Sequence, residues 1–183
     1  MDMSQAYCSA VTKHFPQAAI VYDRFHVMQK MNKKLDELRM SYVRQLDKSH
    51  RHTVKGSKWL VLMSKERLER LAESKPVYKK RLELALTFNK PLATGYYLKE
   101  KLRLLWELPN RNEAEPYLDQ WCQEACASGF AALEEMVALL KSHWEGILSY
   151  FVYGLSNGFH EGLNHKIKTL ERMGVEVRTN FLV

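Results

Sequence analysis

Between Lys58 and Phe151 apolar residues recur every three or four positions in five successive stretches: Trp59–Leu71, Val77–Phe88, Leu92–Trp106, Glu115–Ala127 and Phe130–Phe151. That period gathers side chains on one face of an α-helix. The last stretch carries it most fully, with Leu133, Met136, Val137, Leu140, Trp144, Ile147, Leu148 and Phe151. Pro76, Pro91, Pro109 and Pro116, with Asn110, punctuate the stretches and mark boundaries between helices. Apolar and polar residues do not alternate here, so the block predicts an all-helical unit with no sheet of its own.

The opening of the chain reads differently. Ala6, Ala10, Val11 and His14 give Ser4–Phe15 a helical spacing that Pro16 closes. Ala18–Tyr22, AAIVY, is a short apolar run rich in β-branched residues and predicts a buried strand. After Asp23, Phe25, Met28, Asn32, Leu35, Arg39, Tyr42 and Leu46 trace a long amphipathic helix. Helix, strand and helix in succession point to an α/β layer. The expected organisation is therefore an α/β unit over 1–57, an all-helical insertion over 58–151, and a returning helix with a tail over 152–183. The 183 residues suit one domain carrying such an insertion, and most of them are expected to be helical.

Composition narrows the function classes. A hydrophobic fraction of 46% supplies a packed core. No apolar run reaches the roughly 18 residues that a membrane span requires, so no membrane partner is expected. The start, MDMSQAYCSA, lacks the basic-then-apolar layout of a signal peptide. With three cysteines, this predicts a protein of the reducing cytoplasm. Cys122 and Cys126 stand one helical turn apart with no second pair, which fits core or boundary positions better than a zinc site.

Charge is concentrated. From Arg24 to Lys58 lie ten bases and only three acids, so this segment carries as much net charge, +7, as the whole chain. Such a segment is the electrostatic footprint of nucleic-acid binding, although most charge runs are simply solvated helix faces.

A second distinctive text is SNGFHEGLNHKIKTLERMG, Ser156 to Gly174. Phe159, Leu163, Ile167 and Leu170 define one face of a predicted helix. Glu161, Asn164, His165 and Lys168 stand at i, i+3, i+4 and i+7 on another. An acid in a first helical turn is commonplace, because the helix dipole favours it there. The other reading is a metal-binding carboxylate beside a phosphate-gripping surface. Two-metal phosphoryl transfer needs several carboxylates, and the candidate companions are Asp2 and Asp23. Asp23 also suits the cap of the helix it precedes, and His26, beside Phe25 and Val27, suits packing.

The stretches DMSQAYCSAV, FPQAAIVYDRFHVMQKMNKKLDELR, LKEKLRLLW and LSNGFHEGLNHKIKTLERMG, in this order and spacing, resemble the ISL3 family of bacterial insertion-sequence transposases. The resemblance runs almost from the first residue to about Gly174, and its DRFHV and NGxxEGxNxxIK patterns are specific ones. It implies an RNase H-like core of the DDE type, interrupted by the helical block. It implies that Asp2 is the second catalytic aspartate and Glu161 the catalytic glutamate, the two holding Mg²⁺ (or Mn²⁺) with a first aspartate. DNA at insertion-sequence ends is the implied partner, gripped by Arg24, Lys30, Lys33, Lys34, Asn164, Lys166, Lys168 and Arg172. Asp23 and His26 then support the site from behind. The implied setting is the bacterial nucleoid, with a further copy or an intact transposase as protein partner.

Family members are about twice as long and carry a zinc-binding and helix-turn-helix region ahead of the core. The tail VEVRTNFLV also departs from the family's aromatic-rich text. The expectation is a truncated transposase that is inactive alone. The alternatives are a non-catalytic basic remnant that binds DNA or inhibits an intact transposase, or a product with no function.

Overall fold

Asp23 sets the start of the longest helix. Its carboxylate accepts a hydrogen bond from the Phe25 backbone N–H at 2.7 Å, which satisfies one of the amides that a helix start leaves unpaired. In the computed structural model, which describes residues 3–154 and Thr169, this helix is α2, Arg24–Val43. It follows α1, Gln5–His14, and precedes α3, Lys48–Gly56, which Asp47 caps. Next come α4, Lys58–Leu62, α5, Lys65–Ser74, α6, Val77–Thr87, and α7, Lys90–Leu104, which runs on into a 3₁₀ turn at Leu105–Glu107. The series ends with α8, Arg111–Ala127, α9, Ala131–Ser142, α10, Trp144–Leu148, and α11, Tyr150–Tyr153.

The described part of the chain is mostly helical and contains no strand. Ala18–Tyr22, expected as a buried strand, is a connection in which only Tyr22 is buried. A β-rich run becomes a strand only when a second strand pairs with it, and none among the described residues does. Instead the Tyr22 N–H donates to the Gly146 carbonyl at 2.9 Å, its hydroxyl meets the Cys8 thiol at 2.9 Å, and its ring packs edge-on to His143. A Cβ at Gly146 would collide with the Tyr22 ring, so this anchor requires glycine there.

Three other expectations change. The stretch Trp59–Leu71 breaks at Met63, where the chain becomes extended and Ser64 caps α5 through a bond from the Arg67 N–H. The stretch Phe130–Phe151 divides at His143 and Ser149 into α9, α10 and α11. Pro116 does not separate helices but lies inside α8, which starts earlier, at the Asn110 cap. Pro76 and Pro91 do stand at helix starts, where a missing N–H costs little.

Among the described residues the interior has two apolar clusters. Val27, Met28 and Met31 of α2 join Leu98, Leu102, Leu118, Trp121, Met136 and Leu140 in the first. Leu35, Leu38 and Val43 of α2 join Val54, Val61, Leu82, Leu92 and Tyr96 in the second. α2 is therefore the common spine, packed most extensively on α7 and then on α9. Gly95 permits the close approach, since a Cβ there would lie 2.7 Å from Leu38 and 2.8 Å from Leu35.

Candidate nucleic-acid interface

With its apolar stripe turned inward, α2 must present its polar side to solvent. At roughly 100° per residue, Lys30, Lys33 and Lys34 share one side of the helix, within about 100° of arc. Arg24 falls roughly opposite Lys33 and is exposed because it occupies the first turn. The four sequence candidates on α2 thus do not form one patch: three are neighbours and Arg24 is apart from them.

The three neighbours differ in electrostatic freedom. Lys33 is exposed, Lys30 is half-buried, and neither forms an ion pair among the described residues. Lys34 donates to Glu135 of α9 and, at 2.9 Å, to Glu37. Those hydrogen bonds, Glu135 first, raise its pKa above the ordinary value and commit its charge within the protein.

The rest of the basic segment is similarly divided. Arg39 is 3% exposed. It forms an ion pair with Asp36 at 2.6 Å and donates to the Val54 and Lys55 carbonyls, so it joins α2 to α3. Lys58 reaches Asp36 from the start of α4 at 2.8 Å. Burial pushes the Asp36 carboxyl up, but the hydrogen bonds from Lys58 and Arg39 outweigh it and hold the group below its ordinary pKa. Arg51 donates to the Arg44 and Leu46 carbonyls just beyond α2. Arg44, Lys48 and Lys55, past the end of the helix, are exposed. A charge count of the segment therefore overstates what a phosphate backbone could meet, because Lys34, Arg39 and Lys58 are neutralised internally.

Asp23 is 5% exposed and serves as the α2 cap, and the His26 ring packs edge-on against Phe25 at 5.6 Å. Asp2, Glu161, Asn164, Lys166, Lys168 and Arg172, the rest of the sequence-predicted site, lie outside the described residues. Among the described residues no group of three or more His, Cys, Asp or Glu side chains could hold a metal ion. Cys122 is buried, its thiol pushed up to about 11 by burial, while Cys126 is exposed. No helix among the described residues is long and apolar enough to cross a membrane.

Sequence reading missed Trp59, which opens the Trp59–Leu71 stretch but points into solvent, 76% exposed. The available signal was its setting, with Lys55 and Lys58 before it and Lys65 and Arg67 after it. Lys99 was missed as well, because nothing local marks a lysine in the middle of α7 as buried.

Comparison with known proteins gives a consistent result. The family profile of the ISL3 DDE transposases, described as "Transposase", matches residues 1–181. The transposase for insertion sequence element IS1001 of Bordetella parapertussis is 35% identical over 175 residues, which is 94% of this chain and 42% of that protein. The chain thus spans less than half the length of this relative. No solved structure matches.

Proposed function

Because this chain belongs to the ISL3 family of transposases, we propose that it serves DNA transposition by metal-assisted phosphoryl transfer at insertion-sequence ends. The observation that carries the reading is the extent of the family match, over residues 1–181, which includes both Asp2 and Glu161. In this reading the segments around Asp2 and Glu161 belong to an RNase H-like core, and the helices over 58–151 form an insertion into it. The divisions 1–57, 58–151 and 152–183 are part of the same proposal.

Asp2 and Glu161 supply oxygen donors, the class that suits Mg²⁺ or Mn²⁺. Bound there, the metal would stabilise negative charge on the attacking and leaving oxygens. The chain's own part is to fix those carboxylates and to hold the DNA. Lys166, Lys168 and Arg172 would pair with backbone phosphates and Asn164 would hydrogen-bond to them. Lys30 and Lys33 of α2 would also meet phosphates, with Arg24 meeting the backbone separately. Lys34, engaged by Glu135 and Glu37, would contribute less. Buried, capping Asp23 would act by positioning α2.

The test joins this chain to the amino-terminal part of its Bordetella relative and follows nicking of labelled insertion-sequence ends with Mg²⁺. Metal-dependent nicking that Glu161→Gln abolishes, with DNA binding retained, supports the proposal. Nicking that survives Glu161→Gln would overturn the catalytic assignment. Binding without any nicking would favour the alternative, a non-catalytic DNA-binding or transposase-inhibiting protein.

A further inference from the structure

Trp59 stands apart from the other tryptophans. It is 76% exposed, whereas Trp106 and Trp121 are 8% and 0% exposed and Trp144 is half-buried. It lines two concave surfaces, of about 340 and 370 Å³, that also share Met63. The first is bordered by Lys58 and Arg67, the second by Lys75, Arg81 and the Tyr78 ring. No carboxylate lines either surface. Lys58 is engaged by Asp36, but Arg67, Lys75 and Arg81 form no ion pair among the described residues. The ion pair from Lys58 to Asp36 also joins this surface to the outer side of α2.

An exposed indole that lines two carboxylate-free surfaces together with Arg67, Lys75 and Arg81 suits a partner that is both planar-aromatic and anionic. Paired bases in a duplex keep their faces stacked on one another and offer only edges and phosphates. An unpaired nucleotide offers a free π-face and a phosphate on either side of it, the combination that single-strand-binding surfaces use. We propose that Trp59, with Arg67, Lys75 and Arg81, forms a binding site for an unpaired nucleotide at a DNA end, the base stacking on the indole and the flanking phosphates meeting the cations. The site rests on the reading of the chain as a protein that acts on DNA ends.

The test measures binding of the full chain, by fluorescence anisotropy, to a blunt duplex and to the same duplex with a short single-stranded tail. The tail should strengthen binding by about 5- to 150-fold, the range that one stacked base supplies. Trp59→Ala should remove this gain and leave blunt-duplex affinity unchanged, and Trp59→Phe should keep most of it. Replacing Arg67, Lys75 and Arg81 together by Gln should reduce the gain and its salt dependence. A gain that persists in Trp59→Ala, or equal binding of blunt and tailed duplex by the unaltered chain, would overturn the site while leaving the transposition reading intact. No binding to either DNA would overturn both. Insertion of Trp59 into phosphatidylglycerol vesicles, seen as a blue-shifted emission, with no response to the tail would make this a lipid-facing surface and overturn the proposal.

Discussion

Lys99 shows how one side chain can hold the end of a distant helix. It is fully buried in α7, and its ammonium donates to the Val61 carbonyl at 2.8 Å and the Met63 carbonyl at 2.7 Å. It also lies 4.5 Å from the centre of the Tyr96 ring and 2.6 Å from Glu100 Oε1, the latter an ion-pair contact without hydrogen-bond alignment. Burial lowers its pKa from the ordinary lysine value, and Glu100 opposes that shift. Without this donor the buried Val61 carbonyl and the partly buried Met63 carbonyl would each lose this hydrogen bond. Lys99→Met, which keeps the length and removes the charge, is expected to cost about 1–3 kcal/mol, read as a lower midpoint in urea unfolding. Asp36 governs a pH effect. Its folded-state pKa is depressed, so as pH falls the unfolded chain takes up the proton first and protons favour unfolding. Its contribution is full above the ordinary carboxylate pKa near 4 and is lost as pH falls through the lower folded value. Asp36→Asn should therefore flatten the decline of stability below about pH 4, which urea titrations across pH would record.

At the scale of elements, the helix starts were the most legible. Asp23, Asn110 and the prolines near α6 and α7 announce them by local chemistry that the structure uses directly. Asn89 is a further cap, 3% exposed, whose side chain accepts from the Leu92 N–H at 2.9 Å. Asn89→Ala should cost about 0.5–2 kcal/mol, visible as a lower melting temperature with α7 the first helix to lose amide protection. The contact that holds the break at Met63 was not legible, because Lys99, which donates to the Met63 carbonyl, is 36 residues away in sequence. Ala18–Tyr22 misled for the opposite reason. Its composition favours a strand, but strand propensity measures fit to neighbours, and the neighbour here is Tyr22's pocket beside Gly146. The apolar period predicted helices correctly between Val77 and Leu104, where packing of α6 and α7 repeats the sequence pattern.

For the whole molecule, α2 ties the two apolar clusters together and carries basic residues on its outer side. Net charge was legible in the sequence; its division into exposed cations and internal ion pairs was not, because Lys34 meets Glu135 only through the packing of α2 on α9. This division makes an unequal prediction. Lys33→Gln should reduce the salt dependence of duplex binding by about 0.9 in the log–log slope if it holds one phosphate, while Lys34→Gln should change it less. The proposed catalytic pair rests on the sequence alone, since Asp2 and Glu161 sit in the text that resembles the transposases and both lie outside the described structure. The central claim, that Asp2 and Glu161 hold a common cation, is tested most directly by Mn²⁺ titration calorimetry of the chain and of its Asp2→Asn, Glu161→Gln and doubly substituted forms. Shared coordination predicts that each single change removes most of the binding and that the second change adds little, because groups acting on one ligand are strongly coupled. Losses that simply add, or Mn²⁺ binding that neither substitution alters, would contradict it.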